Sequence, residues 1–187
     1  MARAGEAMAG FPKIPSRRPT PAPSATRSAP RAPYETEWGF QDSLVQPHWI
    51  ADAAAFYRAH GLQLAPGAER GDHVSVECEF VHFLLAKEGR AAERDQLSNA
   101  DLCAQSRRRF VEEHIARFVP AFASRLAGSA GAGPYQHFAA VLESLVRAEC
   151  AASGISCGDE AITQRIPTED DAAGMSCPLH APAETPT

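Results

Sequence analysis

Glu69, Asp72, His73 and Glu77 fall within the nine residues of "ERGDHVSVE". Together they offer the parts of an acid/base set: an imidazole that titrates near neutral pH and carboxylates to orient it. The set lacks a nucleophile, a glycine-rich phosphate cradle and the pair of histidines four apart that marks a helix-borne metal site. The same residues also read as a helix start. In that reading Asp72 is the N-cap, accepting a first-turn N–H, and its neighbours hydrogen-bond in the preceding loop. A second set is Cys150, Cys157, Cys177 and His180, three thiols and an imidazole in or beside a polar tail. Soft donors of this kind suit zinc or an iron–sulfur cluster. Their gaps of six and nineteen intervening residues match no tight chelating motif. Free thiols in a reducing compartment are therefore the expectation, and a metal site the alternative. Cys78 and Cys103 lie inside helical stretches and read as small core residues.

The element that must position the first set runs from His73 to Glu88, sixteen residues with no breaker. Alternation of apolar and polar residues covers only Val74 to Phe80, and sixteen residues exceed the usual strand. The stretch predicts a helix that is apolar on most of its circumference and largely buried. Glu77, three residues after Val74 and four before Val81, then sits on an inward face, which a carboxylate leaves unless it is partnered. Three further helices follow from periodicity. "YQHFAAVLESLVRAEC" places Tyr135, Phe138, Ala139, Leu142, Leu145, Val146 and Glu149 at the spacing of one helix face. "RRRFVEEHIARFVPAF" sets Phe110, His114, Phe118 and Phe122 four apart, with Arg108/Glu112, Arg109/Glu113 and Glu113/Arg117 as candidate ion pairs. The arginine run reads as a solvated face, and Pro120 predicts an end or a kink near Phe118. "HWIADAAAFYRAHGL" puts Trp49, Ala53, Phe56, Tyr57 and His60 on one side, with Gly61 as the stop. The fold class expected is all-α, a compact single-domain bundle of about five helices.

The rest of the 187-residue chain differs in character. Residues 1–33 carry seven of the fifteen prolines and no apolar periodicity, and are expected to be disordered. They hold six of the eighteen Lys and Arg residues and one of the 23 Asp and Glu, so residues 34–187 carry twelve positive and 22 negative side chains. That acidity argues against nucleic acid and suits a basic partner. The twin arginine of "SRRPT" is followed by prolines rather than an apolar stretch, which does not make an export signal. With no membrane-spanning run either, the expected location is cytoplasmic. The divisions expected are a head at 1–33, a helical domain at 34–150 and an irregular acidic tail at 151–187.

Four segments resemble, in order, the TorD/DmsD-type chaperones that mature molybdenum enzymes of the dimethyl sulfoxide reductase class. "ERGDH" is similar to that family's E-P-x-D-H loop, with Glu69, Asp72 and His73 in register and Arg70 in place of the proline. The helix type that follows the loop in the family is matched by "VSVECEFVHFLLAKE". "FYRAHGL" resembles its aromatic-Arg-x-x-Gly-Leu segment. "HIARFVPAF" resembles its H-L-x-x-W-x-P-x-F, with His114, Pro120 and Phe122 in place and Phe118 where tryptophan is common. The resemblance spans roughly residues 34–150. The family usually has one or two helices before that point. Here the bundle is either trimmed or completed by "YETEWGFQDSLVQPHW". Loss of the loop proline is expected to loosen the hinge, next to a flexible Gly71.

The resemblance implies an all-helical protein with no catalytic activity and no cofactor of its own. Its partners would be the catalytic subunit of a molybdopterin-containing oxidoreductase and that subunit's twin-arginine leader, held back until the cofactor is inserted. Carboxylates suit guanidinium groups and an apolar groove suits the leader's hydrophobic stretch. The residues expected to meet the client are Glu69, Asp72, His73 and Glu77, with Tyr57, His114 and Phe118 lining the site. The oligomeric state expected is a monomer or a domain-swapped dimer hinged at 67–71. Two rivals stand beside this reading. One is a metal or iron–sulfur regulator built on the tail thiols, and the other an acid/base enzyme using Asp72 and His73.

Overall fold

The structure, a computed structural model, describes residues 32–39, 45–129 and 132–165. Most of the proline-rich head, and Cys177 and His180 of the tail, lie outside the described residues. Five α-helices succeed one another: α1 Gln46–Ala59, α2 Val74–Ala92, α3 Leu97–Phe110, α4 Ala116–Ala127 and α5 Tyr135–Ser153. The described residues contain no strand, only two isolated bridges, Tyr34 with His73 and Trp38 with Gln164. The all-α class expected from periodicity is the one observed. "YETEWGF" adds one 3-10 turn, Glu35–Glu37, rather than a helix.

Aromatic rings build the centre. Phe110, without exposed surface, meets Phe80 at 4.7 Å, Phe56 at 5.2 Å and the His114 ring at 4.7 Å. Each such edge or tilted contact adds roughly 0.5–1.5 kcal/mol beyond area burial. α2 packs against α3 and α4 against α5, with α1 laid over them through Ala53 and Tyr57. α1 stops where Gly61 takes a left-handed φ of 77°, as its glycine suggests. Two faces differ from the expectation. α2 buries only one side, Val74, Glu77, Phe80, Leu84 and Ala91, and leaves Leu85 exposed. α5 is apolar on two sides, not one. Ala139, Val146 and Cys150 face the core, while Tyr135, Phe138, Val141 and Leu145 remain 57–67% exposed. Three-four spacing identifies a broad apolar arc but not which edge of it meets the core.

α3 and α4 form one continuous helical run through a π-helical turn, Val111–Ile115. The wider turn brings three consecutive residues, His114, Ile115 and Ala116, inside. Pro120 neither ends the helix nor separates Phe118 from it, because α4 continues to Ala127. The cost of an interior proline is the N–H it cannot give to the carbonyl four residues back. Here that carbonyl, on Ala116, accepts the backbone N–H of Gly158 at 2.7 Å instead. The core thus extends past Cys150: Ile155 is buried, and Cys157 and Ile162 pack against the cluster. The arginine run is also not simply solvated. Arg107, 13% exposed, joins Glu88 of α2 at 3.1 Å and also pairs with Glu149 of α5. Of the expected ion pairs only Arg109–Glu113 forms, at 2.7 Å, since Arg108 turns to the Ser153 carbonyl and Arg117 to Glu35.

Gly158 is the only residue type that fits its place. A Cβ there would stand 2.7 Å from the Ala116 carbonyl oxygen and nearer still to that of Arg117, both backbone atoms. Gly158→Ala must therefore either push the tail off α4 or strain it, leaving the Ala116 carbonyl unmet. A loss of about 2–3 kcal/mol is expected in urea denaturation.

Candidate functional site

The loop before α2 is held from three directions. Asp72 has no exposed surface and does not cap α2. Its Oδ2 accepts the Thr36 hydroxyl at 2.7 Å, and its two oxygens accept Arg70 Nε at 2.8 Å and Nη2 at 2.7 Å. The Asp72 carbonyl accepts the Glu35 N–H at 2.8 Å, and the Pro33 carbonyl accepts the Val74 N–H at 2.8 Å. The cap is His73, whose Nδ1 accepts the Ser75 N–H at 3.1 Å. Burial alone would push the Asp72 carboxyl up, but the bonds from Arg70 and Thr36 outweigh it and hold it below the ordinary range. Burial dominates at His73 and pushes its imidazole down, which keeps Nδ1 free to accept.

Arg70, at the position of the family proline, braces this loop rather than loosening it. Besides Asp72 it reaches the Thr36 hydroxyl at 2.9 Å and lies 4.3 Å over the Tyr34 ring. Gly71 is no free hinge either. It is buried, and Tyr57 donates its hydroxyl to the Gly71 carbonyl at 2.6 Å. Burial pushes the Tyr57 phenol far up, so it remains a donor.

Beneath the loop lies a second buried group. Glu35 accepts Arg117 Nη1 at 3.1 Å on one oxygen and lies 2.8 Å from His114 Nδ1 on the other, while His114 Nε2 stands 3.5 Å from Asp52. Glu77 is fully buried, and neither of its oxygens has a hydrogen-bond partner among the described residues. Burial first, then the nearby Glu35 and Asp72 carboxylates, push Glu77 well above the ordinary carboxylate range. Glu77 thus belongs to the interior, where its neutral form is favoured, and not to a groove wall. Glu35, Glu77 and His114 each offer a donor atom within 4.8 Å of the others. The 2.8 Å between Glu35 and His114 is a hydrogen bond with no room for an ion between them, and Arg117 already neutralises Glu35. The set holds a proton better than it would hold a metal.

Of the residues expected to meet a client, only Glu69 and His73 offer surface; Asp72, Glu77, Tyr57, His114 and Phe118 are all buried. Glu69 accepts the Arg70 N–H at 3.2 Å and the Tyr34 hydroxyl at 2.9 Å, and these bonds hold its carboxyl below the usual range. Glu35, Thr36 and Arg117 were not foreseen as part of this cluster. The sequence signal for Glu35 is weak, two glutamates around one threonine. Near the end of α5, the buried Cys150 thiol lies against that of Cys157 in the tail and is pushed up to about 12, by burial first, which disfavours its thiolate.

The model of the nitrate reductase delta subunit family matches residues 25–124. The chain belongs to that family. The matched residues include the loop, the buried carboxylates and the π turn. α5 and the tail lie beyond the match. The chain is also 38% identical over 76 residues to the perchlorate reductase assembly chaperone protein of Dechloromonas aromatica (strain RCB). That alignment takes in 40% of this chain and spans about a third (33%) of the length of the curated relative. No solved structure matches.

The raised Glu77 carboxyl has a definite consequence for stability. Above its ordinary value of 4.5 the unfolded chain releases a proton that the folded chain keeps. Stability therefore falls as pH rises from there, by up to ~1.4 kcal/mol per pH unit, until the raised value is passed. Glu77→Gln removes this dependence. Its melting temperature relative to wild type is expected to climb as pH rises above the ordinary value of 4.5 in calorimetry. Asp72→Ala, which leaves the Thr36 hydroxyl without its acceptor and releases the half-exposed Arg70 from the loop, is expected to cost about 2 kcal/mol by chemical denaturation.

Proposed function

We propose that this protein is a chaperone for the catalytic subunit of a molybdopterin-containing oxidoreductase, and that it binds the subunit's twin-arginine leader before the enzyme is exported. Membership of the nitrate reductase delta subunit family carries the reading, supported by the similarity to a perchlorate reductase assembly chaperone protein. Two surface features fit it. The first is the loop, where Glu69 presents a carboxylate fixed by two hydrogen bonds, beside the half-buried His73. An ordered acid of this kind suits a guanidinium group, which donates in a planar fork.

The second is the outer stripe of α5. Tyr135, Phe138, Val141 and Leu145 align over about three turns with no charged residue among them. Uncovered apolar surface of this extent marks an interaction site, and the apolar part of a leader or an immature client would cover it. No helix among the described residues is long and apolar enough to cross a membrane. The action proposed is cytoplasmic, without catalysis or a cofactor of the chaperone's own. Asp72 and Tyr57 serve by holding the loop, and Glu77, His114 and Phe118 by forming the interior beneath it, rather than by touching the client.

Titration of the full chain with a synthetic twin-arginine leader, read by calorimetry, tests this reading. Saturable binding is expected, weakened several-fold in Glu69→Lys, since a fixed carboxylate–guanidinium contact at a surface is worth roughly 1 kcal/mol. Phe138→Asp with Leu145→Asp should weaken it further without shifting the melting temperature, as both side chains are exposed. Absence of binding, or binding indifferent to all three changes, defeats the proposal.

A further inference from the structure

On the side where α2 turns into α3 there is a cavity of about 450 Å³ whose walls have the opposite charge to the chain as a whole. Lys87 and Arg90 come from the last turns of α2 and Arg94 from the connection, and His60 closes it from the end of α1. No carboxylate lines it. Glu88, the acid nearest in sequence to Lys87, is turned to Arg107 at 3.1 Å. Among the described residues, neither Lys87 nor Arg94 has an acidic partner within ion-pair range, whereas Arg70, Arg107, Arg109, Arg117, Arg147 and Arg165 all do.

Gathering cations around one concavity in a chain of net charge −5 raises the energy of the empty pocket and stabilises an anion within it. The effect is already visible at His60, whose imidazole is pushed down by burial and then by Lys87. Uncharged donors complete the site. Asn99 and Gln96 line its edge, joined by a bond from the Asn99 amide to Gln96 Oε1 at 3.3 Å that leaves the Gln96 amide to donate, and α3 begins there with no side-chain cap. Leu102 and Cys103 form an apolar wall opposite the charges. The volume is that of a small-molecule site rather than of a lone ion.

We propose that this cavity binds a phosphate-bearing small molecule, its phosphate oxygens on Lys87 and Arg94 and its uncharged part against Leu102 and Cys103. Guanidinium groups match phosphate in paired hydrogen bonds, and the ammonium of Lys87 adds a movable charge. The site lies apart from the loop at Glu69 and from the α5 stripe, and stands whether or not a leader peptide binds there.

The test is calorimetric titration of the full chain, at constant ionic strength, with orthophosphate, pyrophosphate and phenyl phosphate, and with sulfate as the control anion. Saturable binding is expected, with pyrophosphate and phenyl phosphate each at least several-fold tighter than orthophosphate. Lys87→Ala with Arg94→Ala should weaken it at least tenfold, and Asn99→Asp, which places a carboxylate at the rim, should do the same. A second readout is the His60 ring by NMR, whose pKa should rise when pyrophosphate saturates the pocket. No saturable binding, equal response to sulfate, unchanged binding in both variants, or a His60 titration indifferent to pyrophosphate overturns the proposal. Loss of leader binding with phosphate binding intact would bear on the function proposed above and leave this site standing.

Discussion

Asp72 sits without solvent at the meeting point of three chain segments, and a buried carboxylate is tolerable only where several donors converge on it. Thr36 arrives from the 3-10 turn and Arg70 from the loop itself, while the Asp72 backbone ties down the Glu35 N–H. Once Glu35 is so fixed, its side chain is committed to the interior, where it joins Arg117 and His114. His114 in turn is brought inside by the π turn. One desolvated charge thus links the segment before α1, the start of α2 and the joint between α3 and α4. Removing the Asp72 side chain would leave the Thr36 hydroxyl without its acceptor and would free Arg70, the brace of the loop.

The same network changes what the charged pentapeptide can do. A loop whose acid, arginine and glycine are all engaged is a held template, and in the function proposed above its contacts would come from what still faces water, Glu69, the outer part of Arg70 and the edge of His73. Glu77 contributes from below as a neutral acid. Its proton is part of the fold, and its place beside Glu35 keeps two carboxyl groups in one dry site at the expense of stability at higher pH. Rigidity here favours binding, since a preorganised contact loses little entropy on association.

The α3–α4 run shows how distant segments settle local conflicts. Pro120 should break a helix, yet the carbonyl it leaves unbonded is taken by Gly158, thirty-eight residues later in the sequence. The tail after α5 is therefore part of the domain's stability, and only a glycine can come close enough to serve. On the opposite side of the same helices the chain leaves surface uncovered. Among the described residues, the outer stripe of α5 and the cavity at the α2–α3 turn face solvent, and the two differ in chemistry: one is apolar and the other positive.

Helix type and order were legible because periodicity, length and stop residues are local properties; the helix at "VSVECEFVHFLLAKEG", the stop at Gly61 and the four inward aromatic positions from Phe110 to Phe122 all follow from them. The likeness of the loop to its family was legible for the same reason, as a short motif in order. Three things were decided only by the tertiary structure. Asp72 binds Thr36 and Arg70 rather than capping α2, because a partner from another segment can outbid a local N–H. Glu77 is an interior acid, because burial depends on what packs against a face and not on the face itself. α5 shows one apolar stripe to the core and another to water, a choice made by α4, which no spacing within α5 encodes.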